Sequence, residues 1–145
     1  MTSTRTDPST RTARPAGRGI WRAGLVAALV AAVLTTLVWL LGQLTPATWE
    51  VAQGGTTQAV LAPMPAVASV VGIAVGTLAL WLLVRVPRGV TVWTVLAVVA
   101  GLGSVVSPLA AAADGWTGAL LALMHVVVLG VALVVLRPAG LRGRA

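Results

Sequence analysis

Four long apolar stretches alternate with short polar connections along the chain. They cover residues 20–42, 66–84, 90–112 and 116–136, and their only Asp, Glu, Lys or Arg is Arg22, near the start of the first. A helix needs about 20 apolar residues to cross a bilayer, and none of these stretches keeps the polar face of a helix in a water-soluble core. The pattern predicts an all-α fold, a bundle of four transmembrane helices.

The connections differ in length. Pro87, in the short second connection, cannot continue a helix, and Asp114, in the short third one, is placed to cap the fourth helix. Pro108 is predicted to kink or end the third helix. The first connection, residues 43–65, is long, and Gly54-Gly55 at its centre predicts a small hairpin from the flanks 49–53 and 56–61.

Arginine lies on only one side of the predicted membrane. The ten arginines fall in a tail of residues 1–19, at the start of the first helix, in the second connection and in a basic tail of residues 137–145. They are Arg5, Arg11, Arg14, Arg18, Arg22, Arg85, Arg88, Arg137, Arg142 and Arg144. Because basic connections stay in the cytoplasm, both termini are predicted to be cytoplasmic. The first tail, rich in Thr, Ser, Arg and Pro, is predicted to be disordered.

Tryptophan gives a second indication of the same boundaries, because this residue favours the headgroup level. Three tryptophans fall at the predicted inner boundary and three at or near the outer one. The inner set is Trp21, Trp81 and Trp93; the outer set is Trp39, Trp49 and Trp116. None of the six lies in the middle of a predicted span.

Composition excludes several classes of protein. Only 9% of the residues are charged and there is no cysteine, so a disulfide scaffold and a metal–thiolate site are excluded. The arginines lie beside apolar stretches rather than among stacking aromatics, so the partner they predict is the lipid bilayer and not a nucleic acid. With one histidine and three acidic residues, we expect no enzyme, catalytic residue, cofactor or metal site.

Small residues recur on each predicted helix at steps of three and four. In lipid, helices associate through such residues because their backbones can approach closely. The glycines expected to pack helices together are Gly72, Gly76, Gly101 and Gly118. Gly72 and Gly76 form a GxxxG motif, for which packing within the bundle is the favoured interpretation and homodimerisation the alternative.

His125 is the most informative polar residue, because its position in the fourth helix is near the middle of the bilayer. Ser104 and Thr77 are predicted at a similar depth, and a hydrogen bond from His125 to either one would join two helices. The alternative is a functional histidine that accepts a proton or contacts a polar ligand. Asp114 lies on the same face, and a water-filled vestibule would link the two, although helix capping is the favoured role for Asp114.

Three short segments resemble a family of small bacterial four-helix membrane proteins of unknown function. They are Thr91–Ala97, Ser107-Pro108-Leu109, and Leu123–Val127, which contains the Met124-His125 dipeptide. The resemblance covers about Gly24 to Leu136. It implies the four-helix architecture and supplies no activity, substrate or catalytic residue.

These observations predict a multi-pass protein of the bacterial cytoplasmic membrane. The scarcity of reactive groups favours a non-enzymatic component that binds a protein or lipid partner. The alternative function is a small transporter or proton-coupled carrier built around His125.

Overall fold

The structure, a computed structural model, describes residues 16–143 and has six regular elements. The helices are α1 (Ala16–Gly42), α2 (Pro63–Leu83), α3 (Gly89–Ala111) and α4 (Gly115–Arg142), and the strands are β1 (Glu50–Gln53) and β2 (Thr56–Ala59). All four helices are long and apolar enough to cross a membrane. The predicted all-α membrane bundle is confirmed at this level, and the small hairpin adds to it.

Two helices extend further than the apolar pattern indicates. α1 begins at Ala16, inside the tail that was predicted to be disordered, and residues 1–15 lie outside the described part of the chain. α4 continues past residue 136, through Pro138, to Arg142. The Arg142 Nε donates to the Pro138 carbonyl at 3.3 Å. Hydropathy locates only the lipid-embedded part of a helix, whereas these ends continue as polar helical turns.

Pro108 neither ends α3 nor prevents another turn. The helix continues for three residues beyond it, to Ala111. The Ala112 N–H donates to the Pro108 carbonyl at 3.0 Å. A proline blocks only the bond from its own nitrogen, so the turn that follows it can still form.

Most helix pairs pack as antiparallel neighbours, and α2 also contacts α4, which runs parallel to it. α4 packs against both α1 and α3, and α1 also packs against α2. Contacts that join α2 to the rest include the Trp93 indole N–H, which donates to the Gly76 carbonyl at 2.8 Å. The buried hydrophobic core consists of Ile20, Ala27, Ala31, Ile73, Leu80, Val90, Trp93 and Leu136.

A two-residue turn joins the strands of the hairpin. Glu50 pairs with Ala59, and Gln53 pairs with Thr56. Gly54 and Gly55 have φ values of 61° and 81°, the left-handed values that a type I′ turn requires at both central positions and that glycine adopts without strain. The hairpin predicted around these glycines is confirmed.

The bundle has two chemically different ends. The terminal end carries the start of α1, the end of α4 and the α2–α3 turn. All six arginines in the described part of the chain are found there, namely Arg18, Arg22, Arg85, Arg88, Arg137 and Arg142. The hairpin end carries the hairpin, the α3–α4 turn and both described acids, Glu50 and Asp114.

Two of the tryptophans that were predicted to lie at the membrane boundary are buried in the core. Trp93 is 2% exposed and Trp49 is 6% exposed. Each remains near its predicted end of the bundle. Their side chains fill space between elements, which amphipathic preference alone does not predict.

Candidate functional site

The most extensive polar arrangement in the described chain lies at the hairpin end, around Asp114. One carboxylate oxygen of Asp114 accepts from the Thr117 N–H at 2.9 Å, as expected for a helix cap. The other accepts from the hydroxyls of Thr117 and Thr48, both at 2.7 Å, and from the Thr48 N–H at 3.1 Å. The cap of α4 therefore also holds the segment that leads into the hairpin.

Backbone groups complete this connection. The Trp49 N–H donates to the Thr117 hydroxyl at 3.0 Å, and the Ala113 N–H donates to the Glu50 carbonyl at 3.0 Å. We call the whole set the hairpin clamp: the side chains of Thr48, Asp114 and Thr117 with the backbone of Trp49, Glu50 and Ala113. It fixes the hairpin to the α3–α4 turn.

The hydrogen bonds of the clamp favour the ionised form of the Asp114 carboxyl group. Hydrogen bonds from the Thr117 hydroxyl and N–H, and then from Thr48, hold the pKa of the Asp114 carboxyl well below its usual range. These N–H and hydroxyl donors stabilise the negatively charged carboxylate more than the neutral, protonated carboxyl group. Asp114 is therefore a permanent anion at physiological pH, suited to organise donors rather than to exchange protons.

Trp49 closes the hairpin end of the bundle. Its backbone is left-handed, with φ of 56°, and its ring packs over Gly42, where a side-chain carbon would overlap the indole. Its ring centroid lies 6.0 Å from that of Trp39. The buried Trp49 Nε1 has no hydrogen-bond partner among the described residues. The preference of tryptophan for the headgroup level predicts the position of Trp49 near this end but not this packing.

His125 is half-buried on α4 and bonds to its own helix. Its Nδ1 lies 2.7 Å from the Leu121 carbonyl oxygen. Because a carbonyl oxygen only accepts, Nδ1 carries the hydrogen and donates it. His125 makes no other hydrogen bond with a described residue, so the predicted bond to another helix is absent there.

The two predicted neighbours of His125 are placed differently. Gly101 of α3 faces Leu129 of α4, and Gly118 faces Ala112; this antiparallel register puts Ser104 at the level of His125. The Ser104 hydroxyl, however, donates to the Gly101 carbonyl at 2.7 Å. The two polar groups are level without being bonded to each other.

Thr77 lies at a different depth from His125. Its neighbour Gly76 faces Leu136, eleven residues from His125, which corresponds to about 16 Å along a helix. The Thr77 hydroxyl donates to the Ile73 carbonyl at 2.7 Å. The expectation that Thr77 and His125 share a level is wrong, because helices that begin at different heights cannot be aligned by counting within each one.

The buried side-chain hydrogen bond between two helices joins α1 to α2. The hydroxyls of Thr35 and Ser69 lie 3.1 Å apart, and Ser69 donates to the Pro65 carbonyl at 2.6 Å. Thr35 and Ser69 are 0% and 5% exposed. Their positions among the small residues of the two helices are the only sequence signal for this contact.

The predicted packing glycines divide into two groups. A Cβ built on Gly101 would lie 2.8 Å from Leu129, and one on Gly118 would make ordinary contact with Ala112 at 3.4 Å. A Cβ on Gly76 would reach only Leu136, at 4.0 Å, and nothing described lies within 4 Å of one on Gly72. Gly72 therefore faces outward, and of the two GxxxG glycines only Gly76, whose carbonyl accepts from Trp93, contacts another helix inside the bundle.

Two glycines besides these four also make close contacts, and one of them, Gly24, lies on the predicted small-residue face of the first helix. A Cβ on Gly24 would lie 2.6 Å from Thr77 Cγ2, and one on Gly140 would lie 2.9 Å from Leu80. Gly140 lies beyond the predicted end of the fourth helix, so the apolar pattern gave no reason to consider it.

The described residues contain no group of three or more His, Asp or Glu side chains that could hold a metal ion. Residues 15–142 match a family whose description is "Family of unknown function (DUF6069)". No curated protein and no solved structure matches the chain. The match spans most of the chain, which therefore belongs to this family of unknown function.

Proposed function

We propose that this member of the family is a non-enzymatic component of the bacterial cytoplasmic membrane that acts by binding a protein or lipid partner. The hairpin clamp carries the proposal. A connection that only joins two helices needs a few residues, whereas this one folds into a hairpin and is fixed to α4 by a buried hydroxyl and a carboxylate. An ordered and exposed surface of this kind is suited to recognition.

The hairpin favours a protein as the partner at this end. The residues of β2, Thr56–Ala59, are all exposed, and β1 and β2 are the only strands of the sheet in the described chain. The outer side of β1 is bridged to Ala112, so the edge at which a partner segment can form backbone hydrogen bonds is that of β2.

Co-purification from native membranes in a mild detergent, followed by mass spectrometry, tests this proposal. We expect a stoichiometric protein with the wild-type chain and with Gln43→Arg, and its loss with Gln58→Arg. Both residues are exposed at the hairpin end, but only Gln58 lies in the hairpin. Substrate turnover or uptake by the pure protein, or equal binding by both variants, would overturn the proposal.

The proposed orientation places both termini in the cytoplasm, on the basis of the arginine-rich terminal end. Reporter fusions after Arg88 and Arg144 are expected to read as cytoplasmic, and a fusion after Gly55 as external. One reversed reporter would contradict this topology.

The second candidate function is a small proton-coupled carrier that uses His125. It is favoured by one observation, a half-buried histidine at the level of Ser104 whose Nε2 has no hydrogen bond with any described residue. Ion flux into liposomes that is lost in His125→Ala and retained in Val126→Ala, on the exposed face of the same turn, would support it. Equal flux in the two variants would remove it.

A further inference from the structure

A surface groove runs along the α3–α4 seam at the terminal end. Its volume is about 440 Å³, and it is lined by Thr94, Leu133, Val134, Arg137, Pro138 and Leu141. Four of these six residues are apolar and one is cationic. α4 begins at Gly115, so Arg137 lies about 33 Å along the helix, where the hydrocarbon of a bilayer gives way to headgroups.

Among the described residues, the charged side chains at this end of the bundle are all arginines. The Arg137 guanidinium is exposed and has no hydrogen bond or ion pair with any described residue. One turn further on, Arg142 donates to the carbonyl of Pro138, a residue of the groove. Both described acids, Glu50 and Asp114, are at the opposite end of the bundle. The groove mouth therefore attracts an anion.

The groove also offers hydrogen-bond acceptors. Pro138 has no N–H, so it cannot make the helical bond to the Val134 carbonyl that any other residue would make. The Thr94 hydroxyl donates to the Val90 carbonyl at 2.8 Å, which leaves its lone pairs able to accept. A cation beside two acceptors matches a phosphate that carries a hydroxylated group.

We propose that this groove is a binding site for an anionic glycerophospholipid with a hydroxylated headgroup, of the phosphatidylglycerol class. The phosphate contacts Arg137, headgroup hydroxyls donate to Val134 O and Thr94, and an acyl chain lies along Leu133 and Val134. Basic sites beside transmembrane helices bind such lipids. The inference rests on the proposed function only in that the protein acts by binding, and it uses a surface distant from the hairpin.

Native mass spectrometry of the full chain released from bilayers of phosphatidylglycerol and phosphatidylcholine tests the site. The wild-type chain is expected to retain phosphatidylglycerol in preference to phosphatidylcholine. Arg137→Gln should weaken this retention about five-fold, which corresponds to about 1 kcal/mol. Val134→Trp, at a residue that is 74% exposed, should fill the groove and abolish retention without changing the charge.

Arg22→Gln is the matched control, because Arg22 is an exposed arginine of α1 at the same end of the bundle and does not line the groove. It should leave retention unchanged. Equal loss in Arg22→Gln and Arg137→Gln would show attraction by net charge alone and would overturn the site. Unchanged retention in Val134→Trp, no preference between the two lipids, or occupation of the groove by a second copy of the chain would also overturn it. Gln58→Arg should retain the lipid, so a failure here is distinct from a failure at the hairpin.

Discussion

The two ends of the bundle are held together by different physical means. At the hairpin end, an ionised carboxylate and two threonine hydroxyls hold loop segments by directional hydrogen bonds. At the terminal end, helices approach closely where glycine leaves space, as at Gly140 beside Leu80. Water competes for hydrogen bonds at the surface, so several must act together there. In lipid, apolar contact gains little from solvent exclusion, and close shape complementarity replaces it.

The largest effect is expected at the terminal end, where shape is least adjustable. A side-chain carbon on Gly89 would overlap the carbonyl of Leu83, so Gly89→Ala must displace the backbone of the α2–α3 turn. We expect a loss of about 3 kcal/mol or more in the free energy of unfolding. Unfolding in mixed detergent measures this loss.

Gly103→Ala is the control in the same helix, because nothing described lies within 4 Å of a Cβ there. Alanine favours a helix over glycine by up to about 1 kcal/mol, so this variant should be slightly more stable. Equal stability of the two variants would contradict the argument from shape.

The next effect is expected in the hairpin clamp. Thr117→Val keeps the size of a fully buried side chain but removes the hydroxyl that accepts from the Trp49 N–H. A buried donor left without a partner costs about 1–3 kcal/mol, and the hairpin should be cleaved faster by protease. Thr36→Val is the control, because the Thr36 hydroxyl donates only to the Ala32 carbonyl of its own helix. Equal cleavage rates in both variants would show that the clamp does not hold the hairpin.

These two ends were not equally predictable from the sequence. Long apolar stretches and a Gly-Gly turn are local signals, so the helices and the hairpin follow directly. The Asp114 cap is also local, but the Thr48 bond to Asp114 joins residues 66 apart, and nothing near Thr48 in the chain indicates it. Pairings across a fold depend on the heights at which helices begin, which is also why Thr77 was placed wrongly.

The polar residues inside the bundle also show that local signals are easier to predict than pairings between helices. Ser104 and His125 have the spacing for an interhelical bond, yet each bonds to a carbonyl of its own helix. In a helix, the carbonyl three or four residues before a polar residue is within reach of its side chain. Spacing indicates that two groups can share a level, but it does not decide which acceptor each one chooses.

A pair of tryptophan variants compares the two ends directly. The Trp93 indole donates to Gly76, whereas the buried Trp49 indole N–H has no described partner. In both cases, phenylalanine replaces the indole with a smaller aromatic ring that has no N–H. Trp93→Phe should therefore cost about 1 kcal/mol more than Trp49→Phe, the net contribution of one hydrogen bond. Unfolding measurements on both variants test this difference, and an equal or reversed cost would mean that Trp49 also has a partner.

The smallest effect is expected when the pH is lowered. The pKa of Asp114 is depressed in the folded state by the donors of Thr117 and Thr48, so the unfolded chain takes up a proton first. Its stabilising contribution is therefore complete above the unfolded value of about 4 and is lost only as the pH falls toward the lower folded value.

Protease resistance of the hairpin should thus stay constant from neutral pH down to about pH 5 and decline only in stronger acid. Hydrogen exchange at the Thr117 and Thr48 amides, corrected for its intrinsic pH dependence, gives an independent measure. Asp114→Asn keeps the shape but cannot carry the charge, so its hairpin should be less resistant at neutral pH and lack the acid transition. A wild-type transition near pH 6 would show that the donors do not stabilise the carboxylate. The hairpin clamp would then contribute less to stability than the close helix packing at the terminal end.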